Sequence, residues 1–219
     1  MLQGKLLKNH AGIMLMGDYL TLRELHRTLS DADTQIQADS ALDPHQSIIS
    51  LAYDVRKAYE QQREIVQPPE HYREIGVRFG VKVLWPTFLY QTAKLRMTLS
   101  FFDHEKSHQA QAYALESVAE CCIKEAYGAA ATKVLDQYQR LRIPEPTGHV
   151  VDFHARCALF SSWTKRERRS RLPELLRSFD AMHDTWYALH KKNGTTGTMI
   201  MPEELQLFSN IDDYPDPRW

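Results

Sequence analysis

The sequence has few cysteines. Only three occur in 219 residues, and two of them, Cys121 and Cys122, are adjacent. Neighbouring cysteines do not easily meet disulfide geometry with each other, so their number and spacing argue against a secreted scaffold held by disulfides. Reduced thiols in a reducing compartment are the simpler interpretation.

Long apolar runs and an excess of one charge are also missing. The apolar stretch after Lys5 and Lys8 extends only from Ala11 to Met16, which is shorter than a signal-peptide core. No segment approaches the ~20 apolar residues of a membrane span. The formal net charge of −1 argues against a protein that holds nucleic acid with its whole surface, although local patches are compatible with it. We therefore expect a cytoplasmic protein that is not bound in a membrane.

The residues that are present have a typical globular composition. Hydrophobic residues make up 43% and charged residues 25% of the chain, which contains neither an internal repeat nor a low-complexity tract. A chain of this length can bury a core in one large domain or in two small ones.

Two regions predict a small antiparallel sheet. Apolar runs at 2–7 and 12–16 flank a short polar segment and predict an N-terminal β-hairpin. Residues 74–85 alternate between apolar and other side chains, which predicts a strand with one buried face. Its apolar positions are Ile75, Val77, Phe79, Val81, Val83 and Trp85.

Helical periodicity covers most of the remaining sequence. Thr21 and Glu24 form a capping-box pattern at the start of a first helix, and a polar loop is expected at 31–40. Asp43 is the expected N-cap of a second helix, which should end near Glu64.

The second half of the sequence is predicted to be almost entirely helical. The pattern continues from 87 to 142 with a break near Asp103, and a proline-containing linker is expected at 143–148. One amphipathic helix is predicted over 172–189, and a short strand over 195–201.

These elements together predict an α+β protein that is predominantly helical. We expect an N-terminal α+β domain at 1–102, in which the sheet packs against helices, followed by a helical C-terminal region at 103–219. The two regions could also form one continuous domain. The long helices offer surface for a homodimer.

Four short motifs lie in the first hundred residues. They are Gly17-Asp18-Tyr19, then Leu51-Ala52-Tyr53-Asp54-Val55-Arg56 with Ala58, then Arg63-Glu64, and finally Val83-Leu84-Trp85-Pro86. With these motifs the N-terminal half resembles a family of uncharacterised bacterial proteins, a domain of unknown function. The resemblance implies an α+β fold and no particular activity, and residues after about 103 are expected to be an extension.

Tyr53, Asp54 and Arg56 of the second motif allow two interpretations. They are either part of a site that other elements complete, or a structural group. Because Asp54 and Arg56 are two positions apart, they do not face each other on a helix. We favour a structural pairing of one of them with the adjacent sheet or hairpin.

The segment His104-Glu105-Lys106-Ser107-His108 matches the H-E-x-x-H pattern of zinc hydrolases. On a helix, His104 and His108 would lie one turn apart and could both reach one Zn²⁺, while Glu105 would act as general base on a metal-bound water. The zinc-hydrolase pattern prefers uncharged residues between the Glu and the second His, and Lys106 departs from this preference.

A third zinc ligand is not evident near this motif. Glu120 lies about 18 Å along the same predicted helix from His108, which is too far to close one site. The remaining candidates are His149, Asp152 and His154. The competing interpretation is that His104 and His108 border the core, and we favour it.

A basic segment offers a different chemistry. Lys165, Arg166, Arg168, Arg169 and Arg171 lie within seven residues, directly after Trp163. Such a run can bind nucleic-acid phosphates and stack on bases. Acidic residues in the final part of the chain could instead neutralise it within the protein. They are Glu203, Glu204, Asp212, Asp213 and Asp216.

Three functional hypotheses follow. The first is a cytoplasmic bacterial protein with an interaction role and unknown partners, since no complete catalytic constellation is evident. The second is a metal-dependent hydrolase that uses Glu105 with zinc on His104 and His108. The third is a nucleic-acid-binding accessory protein that uses the segment Arg166–Arg171. The sequence alone does not decide whether the chain is an enzyme.

Overall fold

The computed structural model describes residues 1–37, 47–101, 103–141, 152–209 and 215–219. Helices dominate these ranges, and a small antiparallel sheet is built from strands of the N-terminal half. The predicted α+β class, with helices in the majority, is therefore confirmed.

The N-terminal hairpin is formed as predicted. Strands β1 (Gln3–Leu6) and β2 (Gly12–Gly17) pair in antiparallel fashion and are joined by a 3-10 turn at Lys8–His10. Asn9 and His10 adopt left-handed φ angles of 57° and 50° in this turn. Asn and His are among the residues that tolerate this region best, so the tight connection is consistent with the sequence.

The next long strand is shorter than predicted. The alternating pattern covers 74–85, but the strand extends only over Arg78–Leu84. Gly76, with a φ of 74°, ends a 3-10 helix at Glu70–Ile75 and redirects the chain before the strand begins. Val77 is therefore 39% exposed, although its position in the pattern predicts burial.

The sheet also contains an edge strand that the sequence pattern did not predict. β3 (Glu64–Val66) pairs with β4, which is the strand at Arg78–Leu84, and the strand order is β1-β2-β4-β3. The second helix was expected to extend to about Glu64, but it ends at Tyr59. A strand of three residues is too short to show a period, and only its pairing with β4 defines it.

The helices are numbered in chain order. They are α1 (Tyr19–Gln37), α2 (Ser47–Tyr59), α3 (Trp85–Phe101), α4 (Lys106–Tyr127), α5 (Ala131–Gln139), α6 (Phe153–Ser162), α7 (Lys165–Arg177), α8 (His183–Lys192) and α9 (Pro202–Gln206). Within the ranges that the structure describes, none of them is long and apolar enough to cross a bilayer.

The first helix differs from its prediction at both ends. Asp18 rather than Thr21 caps α1, because its carboxylate accepts a hydrogen bond of 2.9 Å from the Thr21 amide. The capping box of Thr21 and Glu24 was therefore wrong. The loop expected at 31–40 is helical as far as Gln37, and Asp43, the expected cap of α2, lies outside the described residues.

The later helices confirm one predicted break and correct another boundary. The predicted break near Asp103 separates α3 from α4. The single amphipathic helix expected at 172–189 is instead divided between α7 and α8 by a turn after Arg177. Residues 195–201 form no strand, and the linker expected at 143–148 lies outside the described residues.

Helix α3 lies at the centre of the molecule. Twelve of its residues are buried, and it contacts the sheet as well as α1, α2, α4, α6 and α7. The apolar core to which it belongs includes residues from Leu2 to Leu205, on both sides of the boundary proposed at 102/103. The division into two domains stays a prediction.

A buried histidine makes the stability of this core dependent on pH. His183, 4% exposed, donates a hydrogen bond of 2.9 Å from Nε2 to the carbonyl of Ile200. Burial lowers the pKa of His183 below its ordinary value of 6.5. Its contribution to stability is then complete above pH 6.5 and is lost as the pH falls toward the lowered pKa, because the unfolded chain takes up the proton first.

We expect the free energy of unfolding to fall between about pH 7.5 and about pH 5.5, and the fall to be smaller in His183→Gln. Urea denaturation at both pH values measures the difference. The exposed His71, replaced in the same way, serves as control. Equal slopes for the wild type and His183→Gln would contradict this expectation.

Candidate anion-binding site

The H-E-x-x-H segment does not lie on one helix. Helix α4 begins at Lys106, and Glu105 before it is extended, with φ −75° and ψ 155°. His104 therefore precedes the helix, and the expectation that His104 and His108 project from one helical face was wrong. The physical reason is that α3 ends at Phe101 and α4 begins only at Lys106.

The side chains of this segment connect α4 to α1. His108 is 8% exposed, and its Nε2 lies 3.2 Å from a carboxylate oxygen of Asp31. A carboxylate oxygen of Glu105 lies 3.6 Å from Nη2 of Arg27 and accepts a hydrogen bond from Ser107. These contacts agree with the structural interpretation of the segment.

The zinc hypothesis gains no further ligands from the fold. Among the described residues, no group of three or more His, Cys, Asp or Glu side chains is arranged to hold a metal ion. Asp152 caps α6 by accepting a hydrogen bond from the Ala155 amide, and the ring of His154 contacts Phe153. His149 lies outside the described residues. Zinc binding by His104 and His108, and catalysis by Glu105, stay predictions.

The Tyr53-Asp54-Val55-Arg56 motif makes contacts within its own part of the fold. Asp54 forms an ion pair of 2.8 Å with Arg63, directly before β3, and Arg56 lies 3.9 Å from Glu60, the residue directly after α2. The cationic groups of Arg56 and Lys57 each lie 5.4 Å from the centre of the Tyr53 ring. Asp54 thus connects α2 to the start of the edge strand.

The basic segment occupies the first two turns of α7. Thr164 and Glu167 form a capping box at its start, with both reciprocal hydrogen bonds present. Successive side chains on a helix are about 100° apart. The basic residues are therefore distributed over more than one side of α7, and they fall into two groups.

Arg168 belongs to the protein interior. It is 1% exposed, and its guanidinium donates hydrogen bonds of 3.2 Å and 2.6 Å to the carbonyls of Phe160 and Ser161. These carbonyls lie in the last turn of α6, where no following helical turn supplies amide donors. The carbonyl of Phe160 also accepts a hydrogen bond of 3.3 Å from the Trp163 amide. Arg168 is therefore a structural residue that caps α6.

Arg171 is also used within the chain. Its Nη2 donates to both carboxylate oxygens of Glu204, at 2.9 Å and 2.8 Å, and its guanidinium lies 4.6 Å from the ring centre of Trp163. Of the acidic residues that could neutralise the basic segment within the protein, Glu204 does contact it. Trp163 is 7% exposed and is covered by Arg171, so it offers no face for base stacking.

Lys165, Arg166 and Arg169 form the second group, which we call the cationic face. All three are exposed, and none forms a hydrogen bond or ion pair with any residue that the structure describes. The 3-10 turn at Lys8–His10 contacts α7 beside them. Burial lowers the pKa of His10, and the charges of Arg169 and Lys165 lower it further, so the positive potential reaches this side chain.

A cavity of about 320 Å³ opens beside the cationic face, between α7 and the start of α5. Its wall combines apolar, hydroxyl and cationic side chains. They are Tyr127, Ala130, Lys133, Val134, Arg166, Arg169, Ser170 and Pro173. The sequence pattern singles out neither Tyr127 nor Lys133 as a site residue, because no spacing relates these positions to α7.

Tyr127 is the unusual member of this wall. It is the last residue of α4, 3% exposed, and its ring contacts those of His10 and Trp85. Its hydroxyl is buried and has no hydrogen-bond partner among the residues that the structure describes. Burial raises the pKa of this hydroxyl, and the nearby charge of Arg169 acts in the opposite direction. The phenol is therefore neutral at physiological pH and can donate a hydrogen bond.

Comparison with known proteins assigns the chain to no activity. The model of a family described as Domain of unknown function (DUF6904) matches residues 2–219. The match includes the helical part after residue 103, so the expectation that the resemblance covers only the N-terminal half was wrong. No curated protein and no solved structure matches the chain.

Proposed function

We propose that this chain, which belongs to the family Domain of unknown function (DUF6904), binds phosphate groups of single-stranded nucleic acid through its cationic face. The observation that carries the proposal is the division of the basic segment. Arg168 and Arg171 have partners within the chain, whereas Lys165, Arg166 and Arg169 have none among the described residues. Exposed cations without carboxylate partners are available to phosphates.

The spacing of the three cations suits a phosphate chain. Lys165 and Arg169 are separated by about 6 Å along the helix axis. Neighbouring phosphates of one strand are about 3.4 Å apart along the axis of a duplex, and they are farther apart in an extended single strand. The face is therefore long enough for about two neighbouring phosphates. Arg166 lies one position after Lys165 and adds a third positive charge. Since the ring of Trp163 is covered by Arg171, we expect binding without base stacking on Trp163 and with little dependence on sequence.

Binding of nucleic acid would give a definite partner to the interaction role that the sequence favours. A bacterial, cytoplasmic protein that binds nucleic acid as an accessory component agrees with the proposal. Homodimerisation through the long helices stays a separate expectation. It would have to use α1 or α4, because α3 is enclosed by the rest of the fold.

The test is salt-dependent binding of a fluorescent thymidine oligonucleotide, followed by anisotropy. For about two neutralised phosphates, the logarithm of the binding constant should fall with the logarithm of salt concentration with a slope of about −1.4. Replacement of Lys165, Arg166 and Arg169 by Ala should weaken binding by about tenfold or more at about 50 mM salt and bring the slope close to zero.

A matched control variant removes three positive charges from other parts of the surface. Arg73, Lys106 and Lys192 are exposed and distant in sequence from α7, so their joint replacement by Ala should leave the affinity within about twofold. The proposal is wrong if the two triple variants lose affinity equally, or if the wild-type protein does not bind at about 50 mM salt.

A further inference from the structure

We infer that the cavity beside the cationic face holds a terminal phosphate, that is, a phosphomonoester at the end of a strand or on a free nucleotide. This inference rests on the proposed function, because it assigns the ligand group to the same surface. The inference adds the cavity wall to the binding surface. Binding to the phosphate backbone alone would not require this wall.

The unpartnered hydroxyl of Tyr127 is the first reason. A buried hydroxyl without a hydrogen-bond partner is costly, and such groups in folded proteins usually have a partner or a role. Tyr127 is 3% exposed and forms part of the cavity wall together with Arg169. The hydroxyl oxygen itself has almost no accessible surface, so an oxyanion in the cavity would reach it only after the side chains around it move aside. It would then accept a hydrogen bond from the hydroxyl and make an ionic contact with the guanidinium of Arg169.

The balance of charge is the second reason. Of the three cations in the cavity wall, Lys133 is paired with Glu174 at 3.3 Å. Arg166 and Arg169 have no acidic partner among the described residues, which leaves about two positive charges for a ligand. A phosphomonoester carries nearly two negative charges at neutral pH, whereas an internal phosphodiester carries one.

The shape of the cavity is the third reason. Tyr127 forms part of the cavity wall, and its ring contacts those of Trp85 and His10. A strand that continues in both directions could cross the mouth but could not pass through the wall, whereas a chain end can enter. The volume of about 320 Å³ is at the lower end for small-ligand sites and accommodates a phosphate with part of its sugar.

The apolar part of the wall suits the group attached to the phosphate. Ala130, Val134 and Pro173 contribute apolar side chains to the cavity wall, and Ser170 belongs to the same wall. A pocket of this kind, mostly apolar with a few convergent polar groups, is the common design of sites for small ligands. Sugar carbons and a base edge can contact this surface while the phosphate contacts the arginines.

The experiment measures binding of two thymidine oligonucleotides, one with a 5′-phosphate and one with a 5′-hydroxyl, that are otherwise identical. It also compares the binding of 5′-AMP with that of adenosine. The wild-type protein should bind the 5′-phosphorylated oligonucleotide about tenfold more tightly than the 5′-hydroxyl form, and 5′-AMP more tightly than adenosine. Tyr127→Phe, which keeps the ring and removes the hydroxyl, should reduce both preferences severalfold without changing the affinity for the 5′-hydroxyl oligonucleotide.

Lys165→Ala is the matched comparison, since Lys165 belongs to the cationic face but not to the cavity wall. Lys165→Ala should lower the affinity for both oligonucleotides by the same factor. Tyr127→Phe loses only an unpartnered hydroxyl, so its thermal unfolding should not be lowered, and circular dichroism checks this.

The outcomes separate the inference from the proposed function. Equal, salt-dependent binding of both oligonucleotides by the wild type would overturn the terminal-phosphate inference and leave the proposed function intact. Binding of 5′-AMP that depends on Tyr127, without binding of either oligonucleotide, would support the cavity and overturn the proposed function. A preference for the 5′-phosphate that survives Tyr127→Phe unchanged would also overturn the inference.

Discussion

Replacement of Gly12 by alanine is expected to lower the free energy of unfolding by about 3 kcal/mol or more, one of the largest effects of any single methyl group in this protein. Gly12 begins the central strand β2 and pairs with Leu84 of β4. A Cβ atom there would overlap the carbonyl oxygen of Val83 and would lie 2.8 Å from the Cα of Leu84 and 2.9 Å from the amide nitrogen of Trp85.

The cost is large because all three neighbours are backbone atoms. Backbone atoms of a paired strand cannot rotate away as a side chain can, so β2 and β4 would have to separate where their pairing begins. The same movement would displace Trp85, which starts α3 and is 1% exposed. The strain would therefore reach the helix at the centre of the core.

Gly80→Ala is the control within the same pair of strands. Its Cβ would meet Cγ of Met14 at 2.9 Å, Sδ of Met14 at 3.1 Å and Cγ of Met16 at 3.2 Å. These atoms belong to flexible side chains that can shift, so the loss should be about 1 kcal/mol or less. Urea denaturation measures both variants, and an equal loss for Gly12→Ala and Gly80→Ala would contradict the argument.

Replacement of Arg168 by alanine is expected to destabilise the protein by about 3 kcal/mol, whereas Arg169→Ala should change stability by less than about 0.5 kcal/mol. The two residues are adjacent and chemically identical. Arg168 donates to the carbonyls of Phe160 and Ser161 in the interior, and its loss leaves these carbonyls without that donor at the end of α6. Arg169 is exposed beside the cavity.

Nucleic-acid binding should show the reverse order. Arg169→Ala removes a charge from the cationic face and from the cavity wall, so it should weaken binding of the 5′-phosphorylated oligonucleotide by about tenfold. Arg168→Ala should leave that affinity nearly unchanged at temperatures where the variant is folded. Thermal unfolding and anisotropy on the same two proteins measure both effects.

The contrast between neighbouring arginines makes this comparison decisive. A general loss of basic charge would affect both variants alike, and so would a general loss of structure. If Arg168→Ala proved as stable as Arg169→Ala, the assignment of Arg168 as the cap of α6 would be wrong. If it reduced binding as strongly as Arg169→Ala, the division of the basic segment would be wrong.

The sequence by itself determined those features that depend on local patterns. The hairpin at residues 3–17, the break between α3 and α4, and the α+β class with a helical majority all agree with the predictions. Alternation of period two and helical periodicity report which face of an element is buried. Each element carries that signal in its own residues.

Local patterns were less reliable at the ends of elements. The alternation at 74–85 includes Ile75 and Val77, but the turn at Gly76 removes both from the strand. Asp18 took the capping position that Thr21 was expected to fill. The end of a helix or strand depends on which of several suitable residues forms the capping hydrogen bond or the turn. A short stretch of sequence contains more than one such residue.

Only the tertiary structure decided which side chains are available for binding. Five basic residues of one segment are equivalent in the sequence, yet packing against α6 and α9 engages Arg168 and Arg171 and leaves Lys165, Arg166 and Arg169 exposed.

The cavity depends on the same kind of information. Tyr127, from the end of α4, reaches α7 about forty positions later in the chain because α4, α5 and α7 pack together. Contacts between such distant positions depend on the packing of whole elements, and no spacing within a single element records them. The sequence therefore determined the elements, and their packing determined the site.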